Sequence, residues 1–505
     1  MIPHVGIDLG TTFSCVSYIN EEGLPVVIKS SDGEETTPSV IWFDGKMAYV
    51  GKKANARKLQ ANSPIFEFVK RLMGENSGSL FRVDGYDYRA CGMSAIILKK
   101  LKADAFFHFK RNGFLTPADT LDNIVIPAVI TVPAYFGDKQ RDETKMAGIA
   151  AGFEVLAIVN EPTAAALTYG IDLNDQKKVL VFDLGGGTFD VTILQLGNGE
   201  AKVIASDGAK KLGGKDWDAI LESYFYAEFE RQTGIEIPDD MGWEVQKMAL
   251  ESKFNLSEQN ATSVFLNAAG QSVEIELFRD SPESDDLIFD TADSRFYFEE
   301  RSGQLLSLCK TILYNVLAKA NLSWSDIDEI VLAGGASRMP MISKMLTAIS
   351  GRTVRKNIPG FSLDTAIAQG AALYGRNRSK VVDVSSKSIG IEVTQQGRKL
   401  IEHLVKKNSP LPISIRETFP ADENAVLKVY EGESTNPEDC TQRGRLELGN
   451  AKGNVTVGLS IDESGIIKAT VEGNGVKAEL RIISEQGEID VQELKQKIQG
   501  IDVRL

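Results

Sequence analysis

The chain has 505 residues, 43% of them hydrophobic and 25% charged, so a folded protein of several domains is expected. A formal net charge of −14 argues against the basic face that non-specific nucleic-acid binding needs. No apolar run has the length of a membrane span, the first residues show no secretory signal, and the four cysteines have no CxxC spacing. We therefore expect a cytoplasmic protein with no nucleic-acid or membrane partner, in which Cys15 and Cys309 are buried apolar groups.

Strand and helix patterns alternate over residues 1–378, which predicts an α/β domain whose strand-end turns carry the chemistry. The predicted strands are Val5–Leu9, Val125–Thr131, Val179–Asp183, Val191–Leu196 and Ile330–Leu332. The predicted helices are Asp138–Ala151, Thr163–Tyr169, Asp216–Thr233, Arg301–Ala320 and Thr365–Gly375.

The most informative motif is a pair of glycine-rich acidic turns, Gly6-Ile7-Asp8-Leu9-Gly10-Thr11-Thr12 and Asp183-Leu184-Gly185-Gly186-Gly187-Thr188. Glycine lets a backbone approach an anion closely, and successive free N–H groups form an anion-binding concavity. Asp8 and Asp183 either brace these turns through local hydrogen bonds or hold magnesium beside a bound phosphate. Two such turns, each with an aspartate and a threonine, favour the magnesium and phosphate site, and their similarity suggests an internal duplication.

Two further residues fit a site of this kind. Lys70, in Phe66-Glu67-Phe68-Val69-Lys70-Arg71, is either an ordinary surface lysine or a charge that orients a nucleophile beside a terminal phosphate. Glu161 stands at a predicted helix start, where Asn160 can cap and Pro162 suits the first turn. The Glu161 carboxylate either interacts with the helix dipole or adds an acid near the metal.

A third glycine turn, Leu332-Ala333-Gly334-Gly335-Ala336-Ser337-Arg338, follows a predicted strand. It either passes beneath a nucleotide, with Arg338 stacking on the base, or only connects a strand to a helix. Gly213-Gly214-Lys215-Asp216 lacks the spacing and the hydroxyl of a Walker A loop, so any ATP binding is of another class.

The sequence changes character near residue 380, where we predict an interdomain linker at residues 379–385. Short strand patterns separated by Asp, Asn, Gly and Pro clusters then predict a β-sandwich over residues 386–487. These strands are Ile389–Thr394, Lys399–Val405, Ile413–Phe419, Val426–Tyr430, Arg445–Leu448, Val455–Ile461, Ile466–Thr470 and Lys477–Ile483.

Residues 488–505 predict one short helix. Asp490 and Glu493 form a capping box, and Val491, Leu494 and Ile498 form one apolar stripe. A helix this short needs tertiary packing to persist, and we expect it to cover part of the sandwich.

Five motifs, in their order along the chain, resemble those of the seventy-kilodalton heat-shock (Hsp70) chaperone family: Gly6–Thr12, Asn160–Ala166, Asp183–Val191, Leu212–Asp218 and Gly334–Pro340. Thr37-Pro38-Ser39 and Val132-Pro133-Ala134-Tyr135-Phe136 match as well. The resemblance implies an α/β two-lobed actin-like ATPase domain followed by a β-sandwich substrate-binding domain, with residues 488–505 as the remnant of a helical lid. It also implies a stress-response chaperone that couples ATP hydrolysis to the binding and release of extended apolar peptides.

The resemblance further implies roles for individual residues. ATP or ADP would be bound with magnesium, the metal held largely through water by Asp8 and Asp183. Lys70 would position the hydrolytic water, supported by Glu161. Phosphate contacts would come from Gly10, Thr11, Thr12, Gly185, Gly186, Gly187 and Thr188. Contacts to adenosine would come from Lys253, Ser257, Gly334, Gly335, Arg338 and Asp364. Pro133 and Arg141 would report the nucleotide state, and the peptide groove would be lined by Ile391, Phe419 and Ala425.

Expected partners are unfolded polypeptides, a J-domain cochaperone and a nucleotide exchange factor. Several positions depart from the family pattern. Ala157 stands where an arginine usually contacts J-domain partners, Ala336 replaces a serine, and Leu250 and Phe254 replace polar residues near the base. The linker sequence Lys380-Val381-Val382-Asp383 is less apolar than usual, which places linker docking in question.

Three other functions would use the same cleft. A small-molecule kinase of the same superfamily would transfer the γ-phosphate to a sugar-like hydroxyl, but it leaves the strand-rich region without a role. An actin-like filament protein would polymerise with ATP. A binding scaffold would hold ATP without cleaving it.

Overall fold

The computed structural model describes residues 2–57, 64–75, 81–83, 85–169, 175–197, 200–281, 296–355, 362–376, 381–382, 384–395, 397–407, 409–422, 425–448, 452–462, 465–473, 476–480 and 491–504. Within these ranges the chain forms two mixed sheets with helices, followed by a region of antiparallel strands. This agrees with the predicted α/β domain and strand-rich region. None of the helices described here is both long and apolar enough to cross a membrane.

The first α/β unit, residues 2–169, is built on a mixed sheet. Its strands lie in the order Phe153–Asn160, Ile126–Val132, Val5–Asp8, Phe13–Ile19 and Pro25–Val27, with Thr37–Pro38 paired to Phe13–Ile19. The first three strands run parallel, and Val5–Asp8 forms an antiparallel hairpin with Phe13–Ile19. The unit's helices are Lys52–Ala56, Ala90–Arg111, Asp138–Ala150 and Glu161–Thr168, with a 3-10 turn at Val69–Leu72.

Smaller strand pairs complete this unit. A second sheet contains Met47–Val50, Ile41–Asp44 and Ile65–Phe66, and a hairpin joins Phe81–Val83 to Tyr86–Tyr88. The strands of the main sheet consist of apolar runs because helices cover them, so Val5, Ile7, Ile126 and Ile130 are fully buried in one core.

The second α/β unit, residues 175–355, repeats the first arrangement. Its strands lie in the order Val354–Arg355, Glu329–Ala333, Lys178–Leu184, Phe189–Gly197 and Glu200–Ala209, with Val381–Val382 at the far edge. Lys178–Leu184 pairs parallel with Glu329–Ala333 and antiparallel with Phe189–Gly197. Val5–Asp8 of the first unit likewise has one parallel and one antiparallel neighbour. The common strand order supports the internal duplication that the two turns suggested.

Helices and one hairpin surround the second sheet. The helices are Gly214–Thr233, Gly242–Glu258, Phe298–Arg301, Gly303–Ala320 and Pro340–Ser350, with 3-10 turns at Asp239–Met241, Trp324–Asp326 and Gly335–Arg338. The hairpin is Ala261–Ala268 with Gln271–Phe278. The helix predicted over Arg301–Ala320 is confirmed as Gly303–Ala320, and a separate short helix, Phe298–Arg301, precedes it, with the buried Ser302 between the two.

Helix Ala366–Arg376 returns the chain to the first unit. A Cβ on Gly6 would overlap the backbone of Ala372, and one on Gly370 would overlap the carbonyl of Ala164. Glycine at these two positions lets the helix lie directly on strand Val5–Asp8 and on helix Glu161–Thr168.

The C-terminal β region, residues 384–480, contains two four-stranded antiparallel sheets. One has the order Arg398–Val405, Ile389–Gln395, Val426–Glu431 and Thr441–Glu447; the other has the order Ile413–Ala421, Gly453–Ile461, Ile467–Gly473 and Val476–Leu480. A 3-10 turn lies at Pro437–Asp439. Side chains from both sheets, among them Val429, Leu459 and Val471, share one buried core. Of the predicted last strand, residues 481–483 lie outside the described residues.

Residues 491–504, the C-terminal segment, do not cover the β region, so that expectation is wrong. Helix Val491–Gln499 and strand Asp502–Arg504 pack on the first α/β unit, with Ile498 and Ile501 buried in its core. The strand pairs parallel with Met47–Tyr49. Lys99 Nζ donates hydrogen bonds to the carbonyls of Ile498, Gln499 and Ile501, at 3.1, 3.3 and 2.7 Å. The apolar stripe of the helix therefore packs on the first α/β unit, and the strand pairs with the edge of that unit's second sheet. Asp490 of the predicted capping box lies outside the described residues.

The predicted linker is docked where the structure describes it. Val381 and Val382 pair in parallel with Ala201 and Lys202 at the edge of the second main sheet. Residues 379, 380 and 383 lie outside the described residues. Backbone pairing needs no leucine-rich sequence, which explains how a less apolar linker can be held.

Candidate functional site

The two glycine turns that the sequence singled out face each other between the two α/β units. A Cβ added to Gly186 would overlap the Thr12 hydroxyl, and one added to Gly187 would lie 2.6 Å from Thr11 Cγ2. Gly185 N–H donates to the Thr188 carbonyl at 3.0 Å, which closes the second turn. The absence of side chains at these glycines is what allows the two backbones to approach.

Two further turns complete the same cleft. Gly334 has a left-handed φ of 76°, and a Cβ there would lie 2.5 Å from Asp183 Oδ1. A Cβ on Gly213 would lie 2.5 Å from the Gly187 nitrogen. The third glycine motif of the sequence therefore packs directly against the second.

Acidic side chains converge on this cleft. Burial and, to a smaller extent, the negative charge of Glu161 raise the pKa of Asp8 to about 7, against the opposing effect of the Lys70 charge. Burial, together with the charges of Glu161 and Asp8, raises the pKa of Asp183 well above its usual range. The two aspartates therefore interact electrostatically, as a shared cation site requires.

Lys70 and Glu161 form a buried ion pair inside the cleft. Lys70 Nζ donates to Glu161 Oε1, and Lys70 is only 4% exposed. Lys70 lies in the 3-10 turn Val69–Leu72, and Glu161 is the first residue of its helix. The reading of Lys70 as a surface lysine is therefore wrong, because a bulky cationic side chain is enclosed only where carboxylates balance it.

Asp190 belongs to the cluster although the sequence interpretation did not include it. It is 1% exposed, and burial with the charges of Glu161 and Asp183 raises its pKa well above the usual value. Its position in the apolar strand Phe189–Gly197 was the available signal, since an acidic residue inside a buried strand needs a reason.

Several buried polar atoms of the cleft have no hydrogen-bond partner among the described residues. They are the hydroxyls of Thr11 and Thr12 and one carboxylate oxygen each of Asp183 and Asp190. Buried polar groups are normally satisfied, so such atoms indicate a missing ligand or water. Hydroxyl donors suit phosphate oxygens, and carboxylate oxygens suit magnesium or its waters.

A magnesium ion here would take few ligands directly from the protein. No group of three or more His, Cys, Asp or Glu side chains in the described part of the chain could hold a metal by itself. Magnesium typically keeps several waters and combines one or two carboxylates with substrate phosphates. The residues present fit an ion held in that way.

The residues predicted to contact adenosine form two small groups. Lys253 Nζ lies 2.6 Å from Asp218 Oδ1 and donates to the Gly214 carbonyl at 3.0 Å. The Ser257 hydroxyl donates to the Lys253 carbonyl at 2.8 Å. A Cβ on Gly214 would lie 3.0 Å from Lys253 Nζ and 3.2 Å from Ala336 Cβ, so this group adjoins the third glycine turn.

The second group lies at the other side of that turn. Arg338 Nη2 donates to Asp364 Oδ2 at 2.6 Å and to Ser362 Oγ at 3.0 Å, and the pair is nearly half exposed. A Cβ on Gly335 would lie 2.9 Å from Asp364 Oδ1. Arg338 thus presents an oriented guanidinium at the surface of the cleft.

Arg141 and Pro133 connect the cleft to the helix Asp138–Ala150. Arg141 is 2% exposed; its Nε donates to the Phe136 carbonyl at 3.0 Å and its Nη2 donates to Asn160 Oδ1. The Pro133 carbonyl accepts from Phe136 N–H at 3.0 Å. The expectation that Asn160 caps its helix is therefore wrong, because its side-chain oxygen bonds Arg141 and makes no cap hydrogen bond.

A buried ionic cluster that no sequence pattern predicts joins the C-terminal β region to the first α/β unit. Arg443 Nη2 lies 2.6 Å from Asp138 Oδ2 and its Nε lies 3.5 Å from Glu431 Oε2. The Ile467 N–H donates to Asp138 Oδ1 at 2.7 Å. All three charged residues are buried, and the partners are too distant in sequence for any local pattern to connect them.

The residues predicted to line a peptide groove all belong to the C-terminal β region. Ile391 is buried in its core, and Phe419 and Ala425 are half-buried against the same core. The structure thus brings the three residues to one apolar cluster.

These features define a class of protein: two α/β units enclosing a glycine-lined acidic cleft, with an antiparallel β region docked beside it. The family model described as Hsp70 protein matches residues 4–81 and 76–501. The chain therefore belongs to the Hsp70 family and is an Hsp70-like molecular chaperone.

Proposed function

We propose that the protein is a magnesium-dependent ATPase whose two α/β units are the lobes of an actin-like domain, residues 1–378. The single observation that supports this most is the contact between the two glycine turns beside the Lys70–Glu161 pair. It combines phosphate-binding backbone, hydroxyl donors and carboxylates in one cleft, which is what positioning and charge stabilisation in phosphoryl transfer need.

The roles of the cleft residues follow from their chemistry. Asp8 and Asp183 would hold a magnesium ion through its waters, and the bound ion would offset phosphate charge. Thr11, Thr12 and Thr188, with the backbone N–H groups of Gly186 and Gly187, donate to phosphate oxygens. The N–H groups of Gly10 and Gly185 already donate within the turns, to Ser14 Oγ at 3.2 Å and to the Thr188 carbonyl at 3.0 Å, so these two glycines contribute close backbone approach and not a free donor. Lys70 balances charge at the γ-phosphate and orients the attacking water, and Glu161 fixes the Lys70 ammonium. Lys253, Ser257, Gly334, Gly335, Arg338 and Asp364 form the base side of the cleft.

Coupling to the β region, residues 386–487, runs through a series of contacts. Arg443 binds Asp138 at the N-terminus of a helix that also carries Arg141. Arg141 binds Asn160, which precedes Glu161, and Glu161 binds Lys70. A change at the γ-phosphate can therefore alter the docking of the β region, provided that the docked and undocked states contact nucleotide differently. Pro133 would act in this switch through the turn that Arg141 holds.

We further propose that the β region is a sandwich that binds extended apolar peptides near Ile391, Phe419 and Ala425. The C-terminal segment lies on the first α/β unit and not on this region. Peptide release should therefore be fast and affinity modest. A J-domain cochaperone would have to bind without the usual arginine, since Ala157 is buried at that position.

The decisive experiment is the ATPase rate of the purified chain with magnesium, with no acceptor, and then with an extended apolar peptide. Hydrolysis by the protein alone, stimulated by peptide, supports the proposal. Activity that appears only with a sugar-like acceptor would point to the kinase alternative. ATP-dependent light scattering would point to a filament, and binding without hydrolysis to a scaffold.

A further inference from the structure

Phe68 has a backbone conformation that side chains rarely adopt. Its φ of 56° and ψ of 23° place it in the left-handed region, immediately before the 3-10 turn that carries Lys70. For a bulky residue this conformation is a true outlier and is kept only when the surroundings enforce it. Such strain is a reason to ask what the side chain contacts.

The Phe68 ring contacts the opposite α/β unit. Lys215 Nζ lies 3.8 Å from the ring centroid, within the range of a strong cation–π contact. The Arg71 guanidinium carbon lies 5.9 Å from the same centroid. An aromatic ring from the first unit is therefore in contact with a cation from the second.

Lys215 is tied directly to the phosphate-binding turn. Its N–H donates to the Gly186 carbonyl at 2.9 Å, and the N–H of Gly214 donates to the Gly185 carbonyl at 2.9 Å. The Phe68–Lys215 contact thus connects the strand-end turn of the second unit to the segment that holds Lys70.

Arg71 makes a parallel contact across the same gap. Its Nε and Nη2 donate to the Gly187 carbonyl at 3.0 and 2.5 Å, and its Nη2 lies 3.8 Å from Asp216 Oδ2. Phe68 and Arg71 therefore bracket Lys70 and engage two adjacent segments of the second unit. Opening the cleft would have to break both contacts.

We propose that Phe68 and Lys215 form a latch that holds the two α/β units closed over a bound nucleoside di- or triphosphate and slows its release. This rests on the proposed nucleotide function and assigns a positioning role to two residues that do not touch the phosphates. Removing one partner of a cation–π contact is expected to accelerate release about threefold to thirtyfold.

The test uses the full chain and a fluorescent ADP analogue displaced by excess unlabelled ATP in a stopped-flow instrument. Lys215→Met keeps the side-chain length and removes the charge, so release should accelerate within the stated range. Lys215→Arg should restore slow release, because a guanidinium also binds a ring face. Lys211→Met, at an exposed lysine of the same segment, should release ADP at the wild-type rate.

A double-mutant cycle shows whether the two residues act together. Phe68→Leu and Lys215→Met should each accelerate release, and the double variant should be no faster than the faster single variant. Single-turnover hydrolysis of prebound ATP should change less than release does, which separates a latch from a general loss of structure.

Two results would overturn the latch. Release from Lys215→Met at the wild-type rate would do so, as would fully additive effects in the cycle. If the wild-type chain binds no adenine nucleotide, the proposed function fails and the latch fails with it. If the wild-type chain binds and hydrolyses ATP while both variants release ADP normally, only the latch fails.

Discussion

The nucleotide cleft and the contact between the β region and the first α/β unit both bury carboxylates, but they differ in how these groups are satisfied. At the interdomain contact, both oxygens of Asp138 are engaged, one by Arg443 and one by the Ile467 N–H. In the cleft, Asp183 and Asp190 each keep a carboxylate oxygen without a partner among the described residues. The buried carboxylate of Asp138 is therefore satisfied by the protein alone, although Arg443 Nε, 3.5 Å from Glu431 Oε2, makes no hydrogen bond among the described residues. The cleft carboxylates, by contrast, each keep an oxygen that a ligand can engage.

The difference separates two roles for buried charge. A closed ionic cluster fixes one arrangement of two domains, because separating them would require replacing every partner. A cluster with unpartnered polar atoms, as in the cleft, can bind a ligand: its carboxylate oxygens can bind a cation, and its threonine hydroxyls can donate to the acceptors that accompany that cation.

The largest effect is expected for Arg443→Ala. It leaves Asp138 and Glu431 buried without their cation, a situation that destabilises the docked state by about 3–5 kcal/mol. The carboxylates can recover solvation if the β region undocks, so we expect a larger radius of gyration by small-angle scattering and faster protease cleavage between the domains.

Arg445→Ala is the matched control. Arg445 is two residues away on the same strand, and its ion pair with Glu447 is largely exposed. Such pairs contribute about 0–1 kcal/mol, so docking should be unchanged. Equal scattering profiles for Arg443→Ala and the wild type would show that the buried cluster does not hold the domains together.

In the cleft, Lys70→Ala removes the cation that binds Glu161. We expect single-turnover ATP hydrolysis to fall by about 10²–10³, the usual loss on removing one charge-stabilising group. Nucleotide affinity should change much less, because the phosphate contacts of the glycine turns remain. Lys52→Ala, at an exposed pair with Glu34, is the control. Hydrolysis within a factor of two of wild type in Lys70→Ala would remove Lys70 from the mechanism.

Gly186→Ala tests the close approach of the two turns. The added methyl group would overlap the Thr12 hydroxyl, so the turns must separate at a cost of about 1–3 kcal/mol. Calorimetry with magnesium and ATP should show affinity lowered by about fivefold to a hundredfold. Gly303→Ala meets nothing within 4 Å and should bind as the wild type does. Unchanged affinity in Gly186→Ala would mean that the turns do not share a ligand.

The smallest expected effect is a pH dependence of docking. Burial raises the pKa of Asp138 from 3.8 to about 6 against the opposing charge of Arg443. Because the docked pKa is the higher one, docking takes up a proton, and it is favoured below pH 6 and weakened as pH rises through 6. Between pH 7 and pH 5 the docking equilibrium should shift about tenfold toward the docked state, or about 1.4 kcal/mol.

Asp138→Asn checks the assignment, since the amide cannot titrate. Scattering profiles of this variant should not change between pH 5 and 7. An undiminished pH response in Asp138→Asn would assign the titration to another group.

Sequence patterns predicted the sheets because the strands are continuous apolar runs, and they predicted the paired turns because glycine and aspartate recur there. They did not predict the Arg443–Asp138 pair, whose members are 305 residues apart. Nor did they indicate Asp190, whose role depends on neighbours from other strands. The same limit applies to Ile498. The sequence showed that this residue belongs to the apolar stripe of a short helix, but an amphipathic helix does not specify which surface it covers.

The C-terminal segment has a consequence for the motion of the β region. The chain enters that region from residues 381–382, paired to the second sheet, and after Leu480 it reaches the first unit again at Val491. Eleven peptide steps span at most roughly 40 Å. While both attachments persist, the β region remains at a high effective concentration beside the nucleotide domain, so re-docking is an intramolecular event that does not depend on how dilute the protein is.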